Sequence, residues 1–202
     1  MKIICIARNY AEHAKELNNE IPEKPVFFIK PDTALLQKNR DFYLPEFSHN
    51  VHFEAEIVLK ISKAGKYIQA AFAHNYFGEI SLGIDFTARD LQSELKEKGH
   101  PWEAAKAFDG SAVVGDFYDK KEFDLSNLNF HLDKNKMTVQ QGNTKQMIHN
   151  FAVIISEASK FFTLKTGDLI FTGTPAGVGK VEENDLLEGW IENRKVFEVS
   201  VK

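Results

Sequence analysis

The sequence has one cysteine, Cys5, among its 202 residues. One thiol can form neither an internal disulfide nor a cysteine-rich zinc site, and such a composition is typical of a reducing cytosol. No apolar stretch approaches the roughly 20 residues that a membrane-spanning helix needs. The apolar run over 3–7 is also too short for a signal peptide. We therefore expect a cytoplasmic protein that does not cross a membrane.

The chain also lacks a long block of lysine and arginine, and its formal net charge is −4. This balance argues against nucleic acid or an anionic membrane surface as the main partner. Hydrophobic residues make up 43% of the chain and charged residues 27%, which excludes wholesale disorder. Because the sequence has no repeat, low-complexity tract or Gly/Ser-rich linker, it predicts a single domain over 1–202.

Short strands and a few helices follow one another without a βαβ rhythm. The predicted strands are 3–7, 26–29, 51–61, 79–86, 128–132, 137–141, 167–172 and 196–201. Strands 128–132 and 137–141 alternate like an antiparallel hairpin with its turn at 133–136, and 196–201 is predicted to be an edge strand. Three helices are predicted. The first runs from a cap at Asn9 to Leu17, with Asn18 and Asn19 as a stop, and the second begins at a Thr87-x-x-Asp90 cap and ends at Gly99. The third spans 145–162. This pattern predicts an α+β fold that is mainly β, with mostly antiparallel sheets.

Glu54 and Glu56 form the most informative pair in the sequence. Residues two apart on a strand share a face, so a strand over 51–61 places His52, Glu54 and Glu56 on one side. Like charges there repel unless a cation lies between them, and the apolar flanks indicate burial, which makes bare charges costly. Asp85, at the end of the next predicted strand, adds a third carboxylate. Three hard oxygen donors suit Mg²⁺ or Mn²⁺.

Two alternatives to this metal site remain open on the residues alone. Zinc fits less well, because neither an HExxH motif nor a Cys-x-x-Cys pair accompanies His52. The Glu-x-Glu pair is equally compatible with a solvated strand face on which Glu54 and Glu56 lie beside lysines.

His13 and Glu16 are three residues apart on the first predicted helix and therefore share a face. A carboxylate that fixes the tautomer of a histidine makes the imidazole a better general base toward water, although such a pair is often a surface ion pair. Lys106 and Lys30 each follow apolar residues and could offer a positive charge to an anionic substrate, or could simply extend to the surface.

A glycine-rich loop, 172–179, follows the predicted strand that begins at Gly167. It is neither a Walker loop nor a GxGxxG motif. Its backbone N–H groups and the Thr174 hydroxyl could hold a carboxylate, and a purely structural turn is the alternative.

The order of these motifs along the chain resembles the fumarylacetoacetate hydrolase family, in its short single-domain branch of acylpyruvate hydrolases and oxaloacetate decarboxylases. The resemblance spans 3–201, essentially the whole chain. The motifs are Arg8-Asn9-Tyr10-x-x-His13-x-x-Glu16, Phe28-Ile29-Lys30-Pro31, His52-x-Glu54-x-Glu56, Asp85-Phe86-Thr87-Ala88-Arg89-Asp90-x-Gln92, Lys106-x-Phe108-Asp109 and Thr172-Gly173-Thr174-Pro175-x-Gly177-Val178-Gly179.

The resemblance implies a mixed β-roll, a homodimer and one catalytic domain whose residues 1–20 form an N-terminal strand and a lid helix. It also implies Mg²⁺ or Mn²⁺ as cofactor. The implied metal ligands are Glu54, Glu56 and Asp85; the implied catalytic residues are His13, Glu16 and Lys106; and the implied substrate-binding residues are Arg8, Lys30, Arg89, Gln92 and Thr174.

The activity implied by the resemblance is hydrolysis of the C–C bond of acylpyruvates (2,4-dioxo acids), decarboxylation of oxaloacetate, or both, through a pyruvate enolate. The partner is then a small 2-oxo acid. Two alternatives remain. The first is an isomerase or decarboxylase of unsaturated oxo-dicarboxylates from aromatic-acid breakdown, similar to 2-hydroxyhepta-2,4-diene-1,7-dioate isomerase. The second is a non-catalytic, metal-dependent binder of oxo acids.

Overall fold

Strands form most of the regular structure in the computed structural model, which describes residues 1–16 and 20–202. The strands are β1 (Ile3–Ala7), β2 (Val26–Lys30), β3 (Val51–Phe53), β4 (Ala55–Ile61), β5 (Phe77–Asp85), β6 (Thr87–Ala88), β7 (Ala112–Val114), β8 (Tyr118–Asp119), β9 (Asn129–Lys134), β10 (Met137–Asn143), β11 (Leu169–Phe171), β12 (Gly179–Lys180), β13 (Leu186–Ile191) and β14 (Arg194–Ser200). The α-helices are α1 (Ala11–Glu16), α2 (Arg89–Glu97), α3 (Glu103–Lys106) and α4 (Phe151–Phe161). Short 3₁₀ helices lie at Asp32–Ala34, Ala70–Asn75, Lys120–Glu122 and Thr144–Gln146.

The strands assemble into three sheets. The largest has the order β2-β1-β11-β4-β5-β7, with β8 also paired to β5; a second has the order β10-β9-β13-β14, and a third has the order β12-β3-β6. Strands β1 and β11 run parallel, whereas the other described pairs are antiparallel. The curled, mixed sheet with a few flanking helices confirms the predicted α+β, mainly β roll.

Strand β4 lies in the middle of the largest sheet and is buried on both faces. Ile57 and Leu59 point into one apolar cluster, together with Ile154 and Ile155 of α4. Val58, which points the opposite way because side chains alternate along a strand, joins a second cluster with residues of β1 and β11. This two-sided packing fixes the position of the residues at the start of β4.

The predicted strand over 51–61 is wrong in one respect, because it is interrupted at Glu54. Strand β3 pairs with β6 and β12, whereas β4 pairs with β5 and β11 in a different sheet. The chain therefore changes sheet at Glu54. His52 lies in β3, where its Nε2 is 2.9 Å from Oδ1 of Asn50.

The predicted caps at Asn9 and Thr87 are also wrong. The Asn9 side chain crosslinks distant segments, because its amide donates to the carbonyl oxygens of His149 (2.9 Å) and Thr172 (2.8 Å). Helix α2 begins at Arg89, and its N-terminus has no side-chain cap. The Thr87 hydroxyl accepts from Lys106 instead, at 2.6 Å. The predicted helix end at Leu17, and the stop at Asn18 and Asn19, lie outside the described residues.

Helix α4 begins six residues later than predicted. Asn143 caps the 3₁₀ turn Thr144–Gln146, the chain is extended at Met147, and Asn150 then caps α4 through the N–H of Val153 (3.1 Å). The predicted hairpin between β9 and β10 and the edge position of β14 are confirmed. Within 1–16 and 20–202, no helix combines the length and the apolar character of a membrane span.

Candidate active site

Three buried carboxylates meet at the junction of β4 and β5. One oxygen each from Glu54, Glu56 and Asp85 can be chosen so that all three lie within 4.8 Å of one another. The antiparallel pairing produces this arrangement, since the N–H of Asp85 donates to the carbonyl oxygen of Glu54 at 2.9 Å and Glu56 lies opposite Gly83. Because the exposed fractions are 5%, 2% and 0%, the alternative of a solvated strand face is excluded.

Cationic side chains surround two of these carboxylates. The Lys106 ammonium lies 2.8 Å from both Oε2 of Glu54 and Oδ2 of Asp85. Lys30 lies 2.8 Å from the other oxygen of Asp85, and the Arg89 guanidinium forms an ion pair with the other oxygen of Glu54. These cations balance the charges of the Glu54 and Asp85 carboxylates and hold both side chains in place from several sides.

The environment separates the pKa values of the two glutamates. Burial alone would raise the pKa of Glu54, but Lys106, Arg89 and His13 outweigh it and hold the pKa well below its usual range. Burial, reinforced by the charges of Asp85 and Glu54, raises the pKa of Glu56 well above its usual value. A dication between the three groups would relieve this repulsion.

The donor set fits Mg²⁺ or Mn²⁺, which prefer hard oxygen ligands. Glu54, Glu56 and Asp85 would hold the ion, and the cleft above them leaves space for water or a substrate oxygen. Zinc remains the weaker alternative, because His52 lies in a different sheet and does not join the carboxylates.

His13 and Glu16 form the predicted pair on α1, with Nδ1 of His13 3.0 Å from Oε2 of Glu16. His13 is buried and lines the same cleft as the three carboxylates. The other oxygen of Glu16 accepts the N–H of Gly177 at 3.0 Å, so α1 is fastened to the glycine-rich loop. The proposed movement of this segment as a lid stays a prediction.

The glycine-rich loop contacts carboxylates of the protein itself. The N–H of Gly173 donates to Glu56 at 2.6 Å, in a left-handed conformation (φ 98°) in which an added Cβ would lie 2.5 Å from Cβ of Asn9. The Thr174 hydroxyl donates to the carbonyl oxygen of Ala55 at 2.9 Å. The sequence suggested that the N–H groups of this loop hold a substrate carboxylate. For Gly173 and Gly177 this expectation is wrong, because their N–H groups donate to Glu56 and Glu16.

The predicted substrate-binding residues divide into two groups. Arg8, Arg89, Gln92 and Thr174 line the cleft. Lys30 is not among the residues that line it: its ammonium is completely buried, pairs with Asp85 and donates to Oγ of Ser111 at 2.9 Å. A contact between Lys30 and the substrate stays a prediction.

Several residues of the site escaped the sequence analysis. Lys96, Trp102 and Phe28 line the cleft. The spacing of Arg89, Gln92 and Lys96 on one helix face could have revealed Lys96. Gln140 supports the floor of the site, since its amide oxygen accepts from the N–H of Ala55 (2.9 Å) and its nitrogen donates to the Thr174 hydroxyl (2.7 Å).

The fold and this site together define a β-rich enzyme whose cleft carries the donor set of a hard divalent cation. The family model described as Fumarylacetoacetate (FAA) hydrolase C-terminal matches residues 2–202, and the chain belongs to this family. The mouse mitochondrial oxaloacetate tautomerase FAHD1 is 40% identical over 201 residues, which cover 99% of this chain and 91% of the relative.

Solved structures show the same similarity. Fumarylpyruvate hydrolase from Pseudomonas aeruginosa, crystallised in complex with Mn²⁺ and pyruvate, superposes with a TM-score of 0.93 at 35% identity, covering 100% of this chain and 89% of that one. The 5-carboxymethyl-2-hydroxymuconate delta-isomerase of Mycobacterium smegmatis gives a TM-score of 0.87 at 32% identity, covering 99% of this chain and 78% of that one.

Proposed function

We propose that this enzyme cleaves the C–C bond of acylpyruvates in a reaction that depends on Mg²⁺ or Mn²⁺. The observation that carries the proposal is the cluster of Glu54, Glu56 and Asp85 in the same cleft as the His13–Glu16 pair. A divalent ion held by the three carboxylates would supply Lewis-acid stabilisation to an enolate formed at C2 and C3 of the substrate.

The chain's own residues supply the proton transfers and the orientation. His13, oriented by Glu16, removes a proton from water, whose oxygen attacks the distal carbonyl carbon. The bond from that carbon to C3 then breaks, C3 regains a proton, and the products are pyruvate and a carboxylic acid. Lys106 stabilises charge on the ligands and on the substrate oxygens. Arg8, Arg89, Gln92 and Thr174 bind and orient the substrate.

Oxaloacetate is the substrate of a second candidate function. The similarity to a mouse protein named oxaloacetate tautomerase favours it, and the same cleft could hold the enolate of oxaloacetate. His13 would then move a proton to or from C3, giving tautomerisation, or the enolate would form by loss of CO₂.

The similarity to the delta-isomerase supports the isomerase alternative. The His13–Glu16 pair beside the carboxylates favours activation of water, and therefore hydrolysis over isomerisation. The non-catalytic binder is set aside, because the fumarylacetoacetate hydrolase family relatives above are enzymes.

The direct test uses protein stripped of metal with EDTA. Mg²⁺, Mn²⁺ or Ca²⁺ is then added, and pyruvate release from acetylpyruvate is measured. With oxaloacetate, both tautomer exchange and pyruvate release are measured. We expect turnover that appears with Mg²⁺ or Mn²⁺ and disappears with EDTA. Turnover at the same rate in EDTA would contradict the metal role, and tight oxalate binding without turnover of any substrate would support the binder.

The homodimer, the cytoplasmic location and the choice between Mg²⁺ and Mn²⁺ stay predictions. Light scattering on the purified protein tests the dimer. Metal analysis of protein purified without chelators tests which ion it retains.

A further inference from the structure

A groove lined by aromatic and cationic side chains lies at the end of β4 away from the carboxylate cluster. The turn after β4 and the 3₁₀ helix Ala70–Asn75 form it, and its volume is about 310 Å³. Glu54 immediately precedes β4, whereas Lys63, which lines the groove, follows the end of the strand. With a rise of about 3.3 Å per residue, the seven residues of β4 separate the two sites by roughly 20 Å. The groove is therefore distinct from the cleft.

Two aromatic rings of this groove are open to solvent. The exposed fraction is 72% for Tyr67 and 56% for Phe72, and both side chains line the groove. Tyr76 lines it as well and packs against the apolar core. Because aromatic rings stack on the faces of planar ligands, the lining offers a stacking surface.

Tyr67 is held in a strained backbone conformation. Its φ is 52°, in the left-handed region that bulky side chains rarely adopt. Helix α4 imposes this conformation, because the N–H of Tyr67 donates to the carbonyl oxygen of Ser159 (3.0 Å) and the N–H of Ile68 donates to its hydroxyl (2.8 Å). Glycine would make the same backbone contacts without the strain. An exposed ring kept at such a position points to binding, since strained residues cluster at ligand sites.

Two lysines lie beside these rings. The Lys66 ammonium is 5.2 Å from the centroid of the Tyr67 ring, and the Lys63 ammonium is 5.2 Å from the centroid of the Tyr76 ring. Lys66 also donates to two carbonyl oxygens at the C-terminus of α4, at 2.9 and 3.2 Å, which holds its ammonium in place. An ammonium has three donors, so one N–H of Lys66 remains for a ligand.

The charge of these lysines has no acidic counterpart in the groove. Within 1–16 and 20–202, neither Lys63 nor Lys66 forms an ion pair, and no acidic side chain lines the groove. The groove therefore carries two positive charges, although the whole chain has a formal net charge of −4. An anion bound there gains the attraction of both ammonium groups.

The composition of the lining indicates the class of ligand. The planar fork of arginine matches a carboxylate, whereas lysine acts as a point charge that suits phosphate, and the described lining has lysine without arginine. The amide side chains of Gln69 and Asn75 can bond to ring nitrogens or sugar hydroxyls. The volume lies at the lower end of the range of about 300–1,000 Å³ that is typical of small-ligand sites, which fits a mononucleotide.

We propose that this groove binds a nucleoside monophosphate, whose base stacks on Tyr67 and Phe72 and whose phosphate contacts Lys63 and Lys66. The proposal is independent of the proposed function, because none of these residues lines the cleft.

Isothermal calorimetry with AMP tests the site. The whole chain is used without added divalent ions, so that no metal bridges the phosphate to the cleft. We expect a dissociation constant below about 1 mM. Adenosine lacks the phosphate and ribose 5-phosphate lacks the base, so each should bind at least about fivefold more weakly than AMP.

Lys63→Gln and Tyr67→Ala should each weaken AMP binding by at least about fivefold, whereas Tyr67→Phe keeps the ring and should keep the affinity. Tyr43→Ala is the matched control, because Tyr43 is also 72% exposed and lies outside the groove. Lys96→Gln removes a cation of the cleft instead and should leave the affinity for AMP unchanged.

Tyr67→Gly separates loss of binding from loss of fold. Because glycine adopts a positive φ without strain, the midpoint of urea unfolding should not fall, while AMP binding weakens by at least about fivefold. An unchanged affinity for AMP in this variant overturns the stacking role of Tyr67.

Three results overturn the site itself. The first is no binding of AMP at concentrations up to about 10 mM, as expected of a groove that a second copy of the chain covers. The second is binding of ribose 5-phosphate as tight as that of AMP, which indicates a general anion contact. The third is loss of AMP binding in Lys96→Gln with full binding in Lys63→Gln, which places the nucleotide in the cleft.

Discussion

Lys30 contacts Asp85, with Nζ of Lys30 2.8 Å from Oδ1 of Asp85 and both side chains closed to solvent. Lys30 therefore neutralises and orients a candidate metal ligand. Removing one partner of such a buried pair leaves an uncompensated charge, which costs far more than the pair itself contributes.

Lys30→Met should accordingly destabilise the protein by about 3 kcal/mol or more, because the buried Asp85 would keep only Lys106, whose ammonium it shares with Glu54. Urea denaturation of the metal-free protein measures this. Lys38→Met is the control: the exposed pair of Lys38 with Asp116 should contribute less than about 1 kcal/mol. A loss no larger than that of the control would show that Asp85 does not depend on Lys30.

His13→Ala should separate hydrolysis from decarboxylation, because only hydrolysis requires a base that activates water. We expect the hydrolysis rate to fall by about 10²- to 10⁴-fold, with a smaller loss of oxaloacetate decarboxylation. Glu54→Ala, which removes a metal ligand, should abolish both. His74→Ala, at an exposed histidine outside the cleft, should change neither. Equal losses of both activities in His13→Ala would contradict the role of His13 as the base toward water.

Glu56→Gln should affect the metal-free and the metal-bound protein in opposite ways. Burial and the charges of Asp85 and Glu54 raise the pKa of Glu56, so an uncharged amide removes repulsion while its oxygen can still accept from Gly173. The metal-free variant should be at least as stable as wild type at pH 7. The increase in melting temperature on addition of Mn²⁺ should be lost.

The same raised pKa predicts a pH slope for the metal-free wild type. Above the unfolded-state value of about 4.5, the folded state binds a proton that the unfolded state has released, so stability should rise as the pH falls toward that value. Glu56→Gln should have a shallower slope than the control Glu79→Gln, whose side chain is exposed and pairs with Lys60. Parallel slopes would contradict the assignment.

Asp168 predicts the reverse dependence on pH. Burial alone would raise the pKa of Asp168, but hydrogen bonds from Lys2 and from the N–H of Lys165 outweigh it and hold the pKa below 3.8. The stabilisation is present above 3.8 and is lost as the pH falls through the lowered pKa. Asp168→Asn should therefore cost about 1.5 kcal/mol at pH 7. Urea midpoints across pH should show this cost shrinking below pH 4, whereas Asp116→Asn should cost little at any pH.

The amino-acid sequence by itself determined the parts of this protein that depend on short-range periodicity. Glu54 and Glu56 lie two residues apart near the start of a strand, and His13 and Glu16 lie three apart on a helix. Alternation along a strand and the turn of a helix fix such pairs locally. The mainly β class and the β9–β10 hairpin were predictable for the same reason.

Only the tertiary structure decided which side chains surround those pairs. Lys30 pairs with Asp85, Gly173 donates to Glu56, and Gln140 accepts from Ala55, although these partners are 55, 117 and 85 residues apart in the sequence. Contacts over such separations depend on sheet order and register, which no local period encodes. The break at Glu54 has the same cause, because pairing with two different sheets, and not the residues of the strand itself, ends β3 there.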